Sequence, residues 1–109
     1  MFTSNQQDPA PDDWGDIAFG DSSVDYDPVT GQGCSMENVI VEYGGSAGGE
    51  QLLHIDAASP LIRDSVFRHG TWVAIIVENG AVPIFENNIF EDIPGDAIRA
   101  SEDSSPVIK

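Results

Sequence analysis

Ser59-Pro60-Leu61-Ile62-Arg63-Asp64-Ser65-Val66-Phe67 is answered 23 residues later by Val82-Pro83-Ile84-Phe85-Glu86-Asn87-Asn88-Ile89-Phe90, and after 23 more by Ser105-Pro106-Val107-Ile108-Lys109. Each full copy sets a proline before two apolar residues, then polar residues, then a second apolar pair. A fixed period of this length marks stacked units, none of which can bury its apolar face alone. Working backwards with three extra residues in one loop, Met36 aligns with Ile62 and Phe85, Asn38 with Asp64 and Asn87, and Val41 with Phe67 and Phe90. Further along each unit Ile17, Leu53, Ile75 and Ile98 form one column, and Phe19, Ile55, Val77 and Ala100 another. Apolar columns of this kind are inward-facing strand positions. Three short strands per unit then close one layer, and layers stack at the parallel-strand spacing of about 4.8 Å.

The rest of the chain reads as strands and loops. Ile17–Phe19, Val39–Val41, Leu53–Ile55, Ile75–Val77 and Ile89–Phe90 have strand length and composition, and no segment has helical periodicity. Asp21 to Gly33 and Gly44 to Gly49 are loops inserted between strands. Residues 1–13, polar and interrupted by Pro9 and Pro11, read as an unstructured lead-in.

The 109 residues suit one domain, and 19 acidic against 4 basic side chains give a net charge of −15. Residues 1–62 carry 11 carboxylates and no Lys or Arg. Such a surface repels nucleic acid and anionic membranes, both of which are bound through Lys and Arg. No apolar run approaches the length of a membrane span, and Met1–Gln7 lacks the basic start and apolar stretch of a signal peptide. The single cysteine, Cys34, reads as a small core residue.

The motif Pro83-x-Phe85-x-Asn87-Asn88-x-Phe90, followed by Ala97-Ile98, resembles the coil repeat of right-handed parallel β-helices of the pectate-lyase-like type. Trp14–Phe19, leading to Met36–Gly45, is similar to coils of extracellular β-helix proteins. The resemblance covers residues 14–109. It implies an all-β, right-handed parallel β-helix (solenoid) of about three to four coils, with uncapped ends and adjoining coils in a longer parent chain. It also implies an extracellular or cell-surface protein that binds or acts on a polysaccharide or cell-surface glycan. A polysaccharide lyase or glycoside hydrolase with its active site outside this segment is one parent, and a structural or adhesive solenoid without chemistry is the other. In such folds an asparagine ladder lines a tight turn, and Asn38, Asp64 and Asn87 are the matching column.

Several residues are candidates for chemistry. Lyases of this fold use Arg or Lys on a uronate, but here Glu37, Arg63, Glu86 and Lys109 share one column and Glu42, Arg68 and Glu91 a second. Alternating sign at strand spacing is a cross-strand charge ladder on an outward face. Tyr43, His69 and Asp92 fall in one column and would set a phenol, an imidazole and a carboxylate together as a general acid/base trio; the competing reading is a hydrogen-bonded histidine at a strand end. His54, aligned with Ile76 and Arg99, reads as exposed or hydrogen-bonded rather than as a ligand. Trp14 and Trp72, each three residues before an inward isoleucine, would either stack on sugar rings or cover a turn. Asp21, Asp25 and Asp27 are close enough in sequence to wrap a calcium ion, though they lack the spacing of an EF-hand loop.

Overall fold

A computed structural model describes residues 2–4, 6–10, 13–20, 24–27, 29–45, 51–101 and 103–108. Eleven strands are present: β1 (Ile17–Phe19), β2 (Ser35–Glu37), β3 (Ile40–Glu42), β4 (Gln51–Asp56), β5 (Leu61–Arg63), β6 (Val66–Arg68), β7 (Val73–Glu78), β8 (Ile84–Glu86), β9 (Ile89–Glu91), β10 (Ile98–Ala100) and β11 (Val107–Ile108). The described residues contain no helix, hence none long and apolar enough to cross a membrane.

Every third strand from β2 onward enters the same sheet. The sheets run β1-β4-β7-β10, β2-β5-β8-β11 and β3-β6-β9, and all strand pairs are parallel. The register is the one the columns predict. Met36 lies opposite Ile62, Ile62 opposite Phe85 and Phe85 opposite Ile108, while Val41, Phe67 and Phe90 form the next file. Ile17, Leu53, Ile75 and Ile98 form the third.

What joins strand to strand is a left-handed backbone residue placed directly after a strand. Asn38, Asp64 and Asn87 follow β2, β5 and β8, with φ of 56°, 51° and 53°. Tyr43, His69 and Asp92 follow β3, β6 and β9 at 63°, 53° and 50°, and Ala57 and Asn79 follow β4 and β7 at 53° and 59°. Non-glycine residues rarely take this conformation, and Asn, Asp and His tolerate it best. Repetition at each corner keeps successive layers superimposable, so the turn columns stack as the strands do.

The core fills the space between the sheets. Met36, Val41, Leu52, Leu53, Ile55, Ile62, Phe67, Ile75, Val77 and Phe85 are all buried, and Phe67 stacks on Phe90 at a centroid distance of 5.5 Å. Pro60 and Pro83, the markers of the repeat, are fully buried. Gly70 has to be small: a Cβ there would meet Ile93 Cδ1 at 3.1 Å and Leu52 Cδ1 at 3.5 Å.

Four expectations need correction. The ladder amide comes from Asn88, not from the Asn38, Asp64 and Asn87 column. Asn88 Nδ2 donates to the Ile62 carbonyl at 3.0 Å and its Oδ1 accepts from Ser65 N–H at 3.1 Å, while Ser65 Oγ accepts from Val39 N–H at 3.3 Å. The exposed left-handed position turns the backbone, and the residue after it faces back toward the neighbouring layer. Secondly, Glu42 of the second charge column is buried rather than on an open face. Thirdly, the end at β3 is not bare: Phe2 forms a parallel bridge with Val41, donating to Ile40 O at 2.7 Å and accepting from Glu42 N–H at 2.9 Å, and Asp13 N–H donates to Tyr43 O. Pairing of that kind removes the hazard of an open edge strand. Finally, Ile108, though in register with Phe85, is 64% exposed because no further layer covers it among the described residues.

Candidate functional site

The corner after β3, β6 and β9 brings Tyr43, His69 and Asp92 together. The rings of Tyr43 and His69 stack with centroids 4.9 Å apart and planes 8° from parallel, and His69 Nδ1 lies 2.9 Å from Asp92 Oδ2. Backbone bonds set this spacing, Tyr43 N–H to His69 O and His69 N–H to Glu91 O. A carboxylate on Nδ1 fixes the tautomer that leaves Nε2 as a base, which is the arrangement a histidine needs for proton transfer. Stacking of identical corners also places these three side chains side by side without any catalytic purpose. The apolar hollow lined by Phe85, Asn87, Asn88, Phe90, Ile98 and Ile108 lies elsewhere, beside the last layer.

The charge columns pair as ladders. Arg63 binds Glu37 and stands in register with Glu86. Arg68 donates from Nε and Nη2 to the two oxygens of Glu42 at 3.2 and 3.3 Å and stands in register with Glu91. The hydrogen bonds that Arg68 donates to Glu42, reinforced by the charges of Glu42 and Glu91, raise the Arg68 pKa above its ordinary value. Arg99 binds Asp96 through two nitrogens. Among the described residues every arginine therefore has a carboxylate partner, and Lys109 lies outside them.

The two tryptophans differ. Trp14 Nε1 donates to Glu42 O at 2.7 Å, and its ring packs against the core and closes over Gly44. Trp72 is 48% exposed. Its carbonyl accepts from Gly95 N–H at 2.6 Å, and a Cβ on Gly95 would meet that oxygen at 2.5 Å, so the glycine is what lets the chain pass close beside the indole.

Of the calcium candidates, Asp21 lies outside the described residues. Asp25 Oδ1 accepts from Ser59 N–H and Asp27 Oδ1 from Val29 N–H, each at 2.9 Å. Asp27 is thus a local turn acceptor in the loop between β1 and β2, while Asp25 ties that loop to the segment between β4 and β5. The group of His, Asp and Glu that does converge among the described residues was not read from the sequence. His54, Asp56 and Glu78 offer ligand atoms within 4.8 Å of one another on β4 and β7. The only signal for it was the parity of residues 54 and 56, which puts both side chains on one face of a strand.

No family model, curated protein or solved structure matches this chain. The class the molecule defines on its own geometry is an all-β protein of three parallel sheets, built from a repeated three-strand unit.

Proposed function

We propose that the chain is a stretch of right-handed parallel β-helix acting as a non-catalytic wall that binds polysaccharide at an extracellular or cell-surface location. The parallel register of every third strand supports the coil, and the strong right-handed preference of parallel crossovers supports its hand. Resemblance of the Pro83–Phe90 motif to pectate-lyase-like coils supports the surroundings and the ligand class. The observation that carries the binding reading is Trp72, an indole half open to solvent immediately before β7, as stacking on a sugar ring requires. The non-catalytic reading rests on the arginines: each described one is already engaged by a carboxylate, so a uronate would have to displace it against a net charge of −15.

Incubation with pectate, alginate and neutral glycans, followed by absorbance of unsaturated products and by reducing-end assay, should give no turnover. Binding of a glycan should be lost in Trp72→Ala. Turnover abolished by His69→Ala would overturn this reading and make Tyr43, His69 and Asp92 a catalytic site. Glycan binding untouched by Trp72→Ala would refute the stacking role, and absence of binding to every glycan would favour the purely structural or adhesive solenoid.

A further inference from the structure

We propose that His54, Asp56 and Glu78 form a site for a first-row divalent transition-metal ion, zinc foremost, on the outer face of β4 and β7. His54 and Asp56 are two residues apart on β4, so both side chains leave the same face. Glu78 is opposite Asp56 in the parallel register, and its Oε1 reaches diagonally to His54 Nε2 at 2.6 Å. One imidazole nitrogen and two carboxylates thus converge within 4.8 Å, a spread that small side-chain rotations bring onto one ion at bond lengths of about 2.0 to 2.2 Å.

Charge argues in the same direction. Asp56 and Glu78 are like charges directly opposed on adjacent strands, an unfavourable arrangement without a counter-charge. The nearest cationic column offers Arg99, opposite Ile76, but that guanidinium is held by Asp96. A dication answers both carboxylates at once.

The donor set selects the metal. Calcium and magnesium prefer oxygen alone, whereas imidazole with carboxylates suits zinc and its neighbours. Asn79 supplies outer support, its Nδ2 donating to Asp56 Oδ1 at 2.5 Å and so orienting that carboxylate. All three ligands are half-buried, so an ion there stays accessible and keeps an open coordination position for water or a further donor. The site lies at the far end of β7 from Trp72, which precedes the first residue of that strand, and it is independent of the polysaccharide reading.

Titrating the EDTA-stripped 109-residue protein with zinc chloride at moderate ionic strength, by calorimetry, should show a single saturable equivalent. The cobalt-substituted protein should show visible d–d absorption that zinc displaces. Asn79→Gly, which keeps the left-handed turn, should weaken zinc by about 10- to 100-fold, and His54→Ala and Glu78→Gln by more. His69→Ala should leave the affinity unchanged. Circular dichroism and urea midpoints in EDTA report folding separately, and Glu78→Gln preserves the shape of the wall should His54→Ala perturb it. Absence of saturable zinc binding, or binding of equal strength in Glu78→Gln, would overturn the assignment.

Discussion

Phe67→Ala tests the stacked core most directly. Phe67 has no exposed surface; Val41 and Phe90 stand opposite it on the neighbouring strands, and its ring stacks on Phe90 at 5.5 Å. Truncating a buried phenylalanine costs about 3 to 5 kcal/mol, depending on how far the surroundings collapse. Here the neighbours above and below are held by backbone ladders at fixed spacing, so collapse is limited and the loss belongs in the upper half of that range. Loss of the ring pair, about 0.5 to 1.5 kcal/mol, acts in the same direction. At roughly 4 °C or more per kcal/mol for a domain of this size, the thermal midpoint should fall by at least about 16 °C. Phe85→Ala should cost less, because Phe85 borders the open hollow and its outer neighbour Ile108 is exposed. Circular dichroism melts with matched urea titrations of both variants provide the comparison. A fall below about 4 °C for Phe67→Ala, which corresponds to roughly 1 kcal/mol or less, would mean that the file of Val41, Phe67 and Phe90 is not packed inside.

Asn88→Ala should destabilise by about 1 to 3 kcal/mol, since it leaves Ser65 N–H and the Ile62 carbonyl each without its amide partner; Asn87→Gly, which truncates the exposed neighbour and keeps the left-handed turn, should leave both bonds intact, and urea denaturation of the pair distinguishes the two positions. The Asp13 carboxyl accepts from Ser4 Oγ at 2.5 Å and Ala10 N–H at 2.9 Å, which hold its pKa below the ordinary 3.8. Because the folded-state value is the lower one, that stabilisation is present above the ordinary value and is lost as pH falls through the lowered one. Amide exchange at Ala10 should therefore accelerate on acidification in the wild type but be fast and nearly pH-insensitive, once corrected for intrinsic exchange, in Asp13→Ala; identical profiles would exclude the role of the carboxyl.

Much of the architecture was legible because parallel stacking imposes one length on every layer. Strands that pair in register recur at the same spacing wherever the loops between them match, so Ile62 and Phe85 declare their file through numbers alone, as do Arg63 and Glu86, and Met36 and Glu37 join once three extra loop residues are allowed. Tyr43, His69 and Asp92 came together for the same reason. Contacts that leave the column were not legible. His54 is in register with Ile76 but reaches diagonally to Glu78, a choice made by side-chain torsions. Asn88 and Asn87 differ by one position, and only the left-handed turn at Asn87 decides which amide faces the adjacent layer.

The sequence by itself determined the period, the strand triplets, the inward columns and the pairing of opposite charges, because all of these follow from a repeating pattern of apolar and charged side chains. The tertiary structure decided what meets the edges and corners. Phe2 completes β3 through backbone hydrogen bonds, which leave no mark on side-chain pattern, and with Trp14 Nε1 on its carbonyl Glu42 becomes buried. Trp14 and Trp72 looked equivalent by position, yet one lies against the core and the other opens to solvent. Burial at such places depends on which neighbour arrives from a distant part of the chain, and a local pattern carries no information about that arrival.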